Sequence, residues 1–262
     1  MSKVTIEDGK VINVTEPKVK YCPLFKKHRG IDELNCESVR KNAEFRIERF
    51  GMCNDNRDTR MKDFLSFGVS EMLSLALTEH LIDAAVIAAD GCGTVVPEDP
   101  EIVQGMGGRI SGIIETEPIQ KVVDDIGAER LLDPKTAKID QFEGVAKAYH
   151  MHYHTIAVTV ANAKDAQEIR DCFGMTTVII AVHTTGISDK DAEILFDTCD
   201  IITSCASKHI REIAKGRALL QAGTKVPVYA ASEVGAKIIK AKLDQLGREP
   251  DTGLDESPEP ML

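Results

Sequence analysis

Long apolar runs are missing from this 262-residue chain. None approaches the roughly 20 residues that a membrane-spanning helix requires, so no membrane partner is expected. The opening residues, Met1-Ser2-Lys3-Val4-Thr5-Ile6-Glu7, hold no apolar export region, which points to a cytoplasmic location. An excess of basic charge is missing too. The formal net charge is -10, and a surface that tracks phosphate backbones needs the opposite balance, so no nucleic-acid partner is expected. Among the seven cysteines no pair is spaced C-x-x-C, and the usual zinc and thioredoxin signatures are therefore absent. Their odd number and the absence of an export signal argue against a disulfide framework. No internal repeat or heptad array occurs. What remains is a globular composition, 43% hydrophobic and 28% charged, long enough for one large domain or two small ones.

The first quarter of the chain reads as an extension. Val4-Thr5-Ile6 and Val11-Ile12-Asn13-Val14 alternate around Asp8-Gly9-Lys10, the pattern of a β-hairpin. Residues 21–35 show no clean period. Glu37 to Phe50 reads as a helix with Val39, Ala43, Ile47 and Phe50 on one stripe, closed by Gly51. Ser66 to His80 reads as a second helix. The expected division is therefore an extension over 1–65, an α/β domain over 66–247 (either whole or as lobes 66–130 and 131–247), and a disordered acidic tail over 248–262.

Beyond residue 80 the pattern changes. Segments 82–89, 155–161 and 177–182 are nearly continuous apolar runs, and 200–204 and 226–230 are shorter ones. Apolarity on both faces is the mark of buried parallel strands. Helical stripes lie between them, such as Ala166, Ile169 and Phe173, or Ala192, Leu195 and Phe196. The expected fold class is α/β: a mainly parallel open sheet of about five or more strands, helices on both faces, and the hairpin-and-helix extension in front. Pro227 places the last strand at an edge or an irregular start, and 113–116 is a candidate extra strand.

In such a sheet ligands bind where the carboxyl ends of the strands emerge. The residues found there are Asp90-Gly91-Cys92, then Asn162, then His183-Thr184-Thr185-Gly186, then Cys205-Ala206-Ser207-Lys208, then Ser232-Glu233. Cys205 and His183 are the candidate catalytic pair, because a thiolate just before a helix N-terminus is stabilised. Cys92, Thr184, Thr185, Ser207 and Ser232 are candidate ligand-binding residues. Ser207 and Ser232 also read as helix caps, and the two threonines as turn residues. A small anionic molecule is the expected partner, with Lys208 adding charge. Gly107, Gly108 and Arg109 join the candidate ligand set as a backbone cradle. The run Gly105 to Gly112 is not a dinucleotide fingerprint, since Ile110 stands where the third glycine belongs. His150, His152 and His154 alternate as strand metal ligands do, but at a helix end, where solvation explains them better. Arg57, Arg60 and Lys62 form a basic knot, read as pairing with Asp55, Asp58 and Asp63 or as contacting an anionic cofactor.

Six segments taken together carry a resemblance. They are Tyr21-Cys22-Pro23-Leu24-Phe25, Gly51-Met52-Cys53, Arg60 through Glu71, Gln104 through Gly112, His183-Thr184-Thr185-Gly186, and Cys205-Ala206-Ser207. In this order, over about residues 4 to 247, the chain resembles the family called methanogenesis marker protein 8. The resemblance implies methane-producing archaea, an anaerobic cytoplasm in which seven reduced thiols are ordinary, and methanogenesis proteins as partners. The segment Phe67-Gly68-Val69 to Val86 is also similar to part of the beta subunit of deazaflavin-dependent hydrogenases. That likeness implies flavin or an iron-sulfur cluster as cofactor, and a cluster would require Cys22, Cys53, Cys92 and Cys205 to meet on folding.

Overall fold

The computed structural model describes residues 2–62 and 67–262. The expected boundary at 65/66, the helix start at Ser66 and the partner Asp63 lie outside the described residues.

Val4–Glu7 (β1) and Lys10–Val14 (β2) pair antiparallel. Asp8 and Gly9 turn between them with φ of 47° and 69°, the left-handed pair that matches strand twist in a tight hairpin. Pro23–Arg29 (α1) follows, with Pro23 in its first turn. Seven residues give too few turns for an apolar period to show, so this helix is not evident in the sequence. Cys36–Phe50 (α2) is set by an Asn35–Ser38 capping box and stops at Gly51. Gly51 has φ of 63°, and a Cβ there would stand 2.0 Å from the Asn56 carbonyl oxygen, so only glycine fits. Arg40 Nη1 donates to the Val11 carbonyl at 2.5 Å and ties α2 to the hairpin.

The remaining strands are Ala84–Ala89 (β3), Gly93–Val95 (β4), Ile156–Val160 (β5), Thr177–Ala181 (β6), Ile201–Thr203 (β7), Leu220–Ala222 (β8) and Val228–Ala230 (β9). They form one sheet in the order β4-β3-β5-β6-β7-β9-β8. The four central strands β3, β5, β6 and β7 are parallel, as their unbroken apolarity requires. The flanking strands β4, β9 and β8 run antiparallel to their neighbours. Pro227 thus precedes an inner strand, and the edge is β8. Residues 113–116 form no strand.

Helices cover both faces. Val69–Thr78 (α3), Pro100–Ile102 (α4), Gln120–Ile126 (α5) and Glu233–Gln245 (α10) belong to one side. There Leu73, Val122 and Ile239 pack with Ala85, Ile87 and Ile180. Gln141–His150 (α6), Ala163–Phe173 (α7), Asp189–Thr198 (α8) and Lys208–Arg217 (α9) cover the other. There Val145, Ala166, Leu195 and Ile210 pack with Val86, Val158 and Ile179. Consecutive strand residues feed opposite layers, so a fully apolar strand is satisfied on both sides. Among the described residues no helix is long and apolar enough to cross a membrane.

The expected disordered tail is a correction. Residues 248–262 run back along the sheet as a strap. Asp251 N–H donates to Gln221 O, and Asp255 N–H to Thr224 O. Lys225 pairs with Glu256 at 2.9 Å, and Arg211 donates to Ser257 Oγ at 2.8 Å. Glu259 bridges to Tyr21. Leu262 exchanges backbone bonds with Ala206 and Lys208. Three of the acidic side chains that suggested solvation are themselves acceptors: Asp251 takes the Gly223 N–H, Asp255 the Thr224 hydroxyl and Glu256 the Lys225 ammonium. Truncation after Gly247 leaves the nearly buried Arg211 short of one partner and should cost about 1–3 kcal/mol, lowering Tm by roughly 3–10 °C. Scanning calorimetry on the truncated chain checks this, and an unchanged Tm contradicts it.

Candidate functional site

The parallel strands deliver their carboxyl ends to one rim, and strand order decides what meets there. Because β6 and β7 are neighbours, the turns that follow them touch. Thr184 Oγ1 donates to Thr203 O at 2.6 Å, and Ala206 N–H donates to Thr185 Oγ1 at 3.2 Å. The two threonines therefore stitch the turns together, and Thr184 is only 2% exposed. Ser207 is wholly buried and caps α9 by accepting from Ile210 N–H at 3.3 Å. These three residues hold the rim in shape.

His183 and Cys205 remain, one on each turn. Both adopt left-handed backbone, with φ of 57° and 43°. A non-glycine residue pays roughly 1–3 kcal/mol for that conformation, and such residues cluster at functional sites. Burial pushes the His183 imidazole down to a pKa of about 4, so it is neutral at pH 7 and offers a lone pair. Cys205 Sγ lies 3.6 Å from Thr203 Oγ1 and is partly exposed. Beneath them Ser204 Oγ is buried and finds no hydrogen-bond partner. Arg211 locks the Cys205 turn from below, donating to Cys205 O at 3.2 Å and to Lys225 O at 2.9 Å. The arrangement places a neutral imidazole and a partly exposed thiol on adjoining turns, with Thr203 Oγ1 as the hydroxyl beside the sulfur.

The other candidates lie elsewhere. Ser232 is at the opposite rim, because β9 runs antiparallel to β7. There it caps α10 through Gly235 N–H and donates to Asp200 Oδ1 at 2.6 Å. Cys92 sits after β3, and β5 stands between β3 and β6, a separation of roughly 10 Å between turns. It is fully buried in the core under α3, and burial followed by the nearby Asp90 charge pushes its thiol up to about 12. It is a structural cysteine.

Gly107, Gly108 and Arg109 also belong to the β3 side. Val103–Gly107 forms a π-helical turn continuing α4, a form enriched at functional sites. The Cβ that Gly107 lacks would meet Ile87 of β3 at 3.4 Å. This turn closes over an ion pair not foreseen in the sequence. Arg57 Nε sits 3.0 and 3.1 Å from the two Asp90 oxygens, and both side chains are almost wholly buried. Cys53 N–H donates to Asp90 at 2.8 Å, and Arg57 Nη2 to Met106 O at 3.3 Å. The basic knot is therefore resolved differently from expectation. Arg57 pairs with Asp90 and Arg60 with Asp99, not with Asp55 or Asp58. The only hint was an Asp placed directly after a buried strand.

The alternating histidines divide. His150 ends α6. His152 and His154 line a cleft of about 430 Å³ at the amino-end rim with His80, Asp83, Glu98 and Tyr153. Among the described residues no group of three or more His, Cys, Asp or Glu side chains is arranged to hold a metal ion. Cys22, Cys53, Cys92 and Cys205 accordingly do not gather as an iron-sulfur cluster would need. Cys53 and Cys92 lie by Asp90, and Cys205 lies at the β7 end.

Residues 1–244 match the family described as an uncharacterized protein conserved in archaea, DUF2099. The chain is similar to the uncharacterized protein MJ0054 of Methanocaldococcus jannaschii, with 44% identity over 252 residues, covering 94% of this chain and 89% of the relative. No solved structure matches. The match spans the hairpin extension and the whole seven-stranded sheet, so the chain belongs to the archaeal conserved family DUF2099.

Proposed function

We propose that this protein is a cytoplasmic accessory or maturation factor of methanogenesis that acts on a small anionic molecule or cofactor at the β6–β7 rim. The methanogenesis setting rests on the resemblance of segments such as Gln104 through Gly112 and His183 through Gly186, and on a relative from Methanocaldococcus jannaschii. The site rests on one observation: His183 and Cys205, both in left-handed backbone, stand on turns hydrogen-bonded to each other.

In this reading the partly exposed Cys205 thiol, just before the start of α9, gives its proton to solvent and supplies the sulfur nucleophile, and the neutral His183 lines the same rim. The start of α9 receives the anionic group. An oxygen is already bound there: Lys208 N–H donates to Leu262 O at 3.0 Å. The threonines and Ser207 keep the geometry and take no part in the chemistry.

Mass spectrometry of the anaerobically purified protein tests the proposal. A small molecule should accompany the wild type and be lost from Cys205→Ser and from His183→Asn, an exchange that retains tolerance for left-handed backbone. Retention of the same compound at the same stoichiometry in both variants would remove the rim from consideration. A second measurement concerns thiol access. Brief alkylation of the native protein should modify the exposed Cys172 and partly exposed Cys205 while sparing the buried Cys92 and Cys199. Labelling of Cys92 as fast as Cys205 would contradict the burial described above.

A further inference from the structure

The face of α2 that turns toward the glycine-rich segment carries Asn42, Phe45, Arg46 and Phe50. Phe45 and Phe50 meet edge to face, with ring centroids 6.0 Å apart. The Arg29 guanidinium, from the end of α1, lies 3.4 Å over the Phe45 ring. The Arg109 guanidinium, from the far end of the π turn, lies 3.7 Å over the Phe50 ring. Arg46 stands with them and donates through Nη1 to Arg109 O at 2.7 Å and to Ser111 Oγ at 2.6 Å. Three cations from separate segments are thus brought into one patch.

The chain has acidic residues in excess, 42 against 32 basic, and Arg40, Arg57, Arg60, Arg130, Arg170, Arg217 and Arg248 each take a carboxylate. Among the described residues neither Arg29 nor Arg46 does. Burial, and then the charges of Arg29 and Arg109, bring Arg46 down to about 10, so its neighbours oppose its charge. Arg109 is favoured by the Glu71 and Asp58 carboxylates, but Arg29 and Arg46 pair with none among the described residues, and like charges held together in a half-buried place cost free energy that an anion would return. A separate observation comes from the same turn. The Gln104 side chain is completely buried, and neither its oxygen nor its nitrogen finds a hydrogen-bond partner. Its Nε2 lies against Gly108, 2.8 Å from where a Cβ would stand.

We infer that Arg29, Arg46 and Arg109, together with the Gln104–Gly112 turn, form a binding site for the phosphate or diphosphate group of a small molecule. Guanidinium forks match phosphate oxygens in pairs, and the rings beneath them fix the planes in advance. A small ligand fits better than a nucleic acid, because the patch is local and the chain as a whole is acidic. The site is separate from the His183–Cys205 rim and stands or falls without it.

Isothermal titration of the full-length protein with inorganic phosphate and with pyrophosphate tests the inference. Wild type should bind pyrophosphate more tightly than phosphate. Arg46→Gln and Arg29→Gln should each weaken it by about tenfold or more, the loss of a charge-assisted pair. Arg248→Gln, on the opposite end of the fold, should leave binding unchanged. Arg29 lies at a helix end, so its variant reports even where Arg46→Gln fails to fold. No heat with either anion overturns the site. So does equal affinity in all three variants, or binding of a short single-stranded oligonucleotide with no response to pyrophosphate.

Discussion

Asp90→Ala is expected to destabilise the protein by about 3–5 kcal/mol, the cost of leaving one member of a buried ion pair without its partner. Asp90 is 2% exposed and Arg57 1%. Two donors make three contacts with this carboxylate: Arg57 Nε reaches both oxygens, and the Cys53 amide reaches one. With the carboxylate gone, the guanidinium retains among the described residues only carbonyl acceptors, Asp58 O and Met106 O. Those cannot neutralise it in a dry interior. A loss of this size is a large share of the roughly 5–15 kcal/mol that holds a domain folded. Urea denaturation measures it. Arg57→Met added to Asp90→Ala should recover part of the loss, because the stranded charge is then removed. A single-variant loss below about 1 kcal/mol would show that the pair is not carrying the junction between the extension and β3.

The second large effect is a pH dependence centred on His183. Burial holds its folded pKa at about 4, against 6.5 for an ordinary histidine. Between those values the unfolded chain binds a proton that the folded chain refuses, so acid favours unfolding. The stability contributed by keeping His183 neutral is present above about pH 6.5 and is lost as pH falls toward 4. Its size is on the order of 3 kcal/mol at most. Carboxylates titrate over the same range in every form of the protein, so the informative quantity is a difference. Wild type should lose more stability than His183→Asn between pH 7 and pH 4, as measured by urea unfolding at each pH. Parallel curves for the two proteins would show that His183 is solvated and not held neutral by burial.

Much of the architecture was legible because burial writes itself into sequence. The runs at 84–89, 156–160 and 177–181 are apolar at every position since each face of these strands meets a helix layer. The helices between them showed their stripes, and Ser207 and Ser232 announced the starts of α9 and α10 as side-chain caps. The short strands β4 and β8 were not legible, since each has a polar residue at its centre, Thr94 and Gln221, and so makes no continuous apolar run. Residues 248–262 were misread for a related reason. Composition reports the cost of ordering a segment but not the partners, Tyr21, Arg211 and Gln221, that order it from distant parts of the chain.

The candidate site divides along the same line. His183, Thr184, Thr185, Cys205 and Ser207 follow parallel strands, and strand-to-helix turns of parallel strands share a rim whatever the strand order. Sequence alone thus determined that these residues emerge on one edge, and that the chain folds as a sheet between helix layers. Which of them touch was settled by strand order and direction, which depend on long-range pairing and leave no local trace. Placing β6 beside β7 set the turn that carries His183 against the turn that carries Cys205. Inserting β5 took Cys92 away, and reversing β9 carried Ser232 to the far rim to meet Asp200. The pairing of Arg57 with Asp90 and the gathering of Arg29, Arg46 and Arg109 were likewise decided only in three dimensions. A charged side chain in sequence carries no mark of the partner, or the absence of one, that folding will give it.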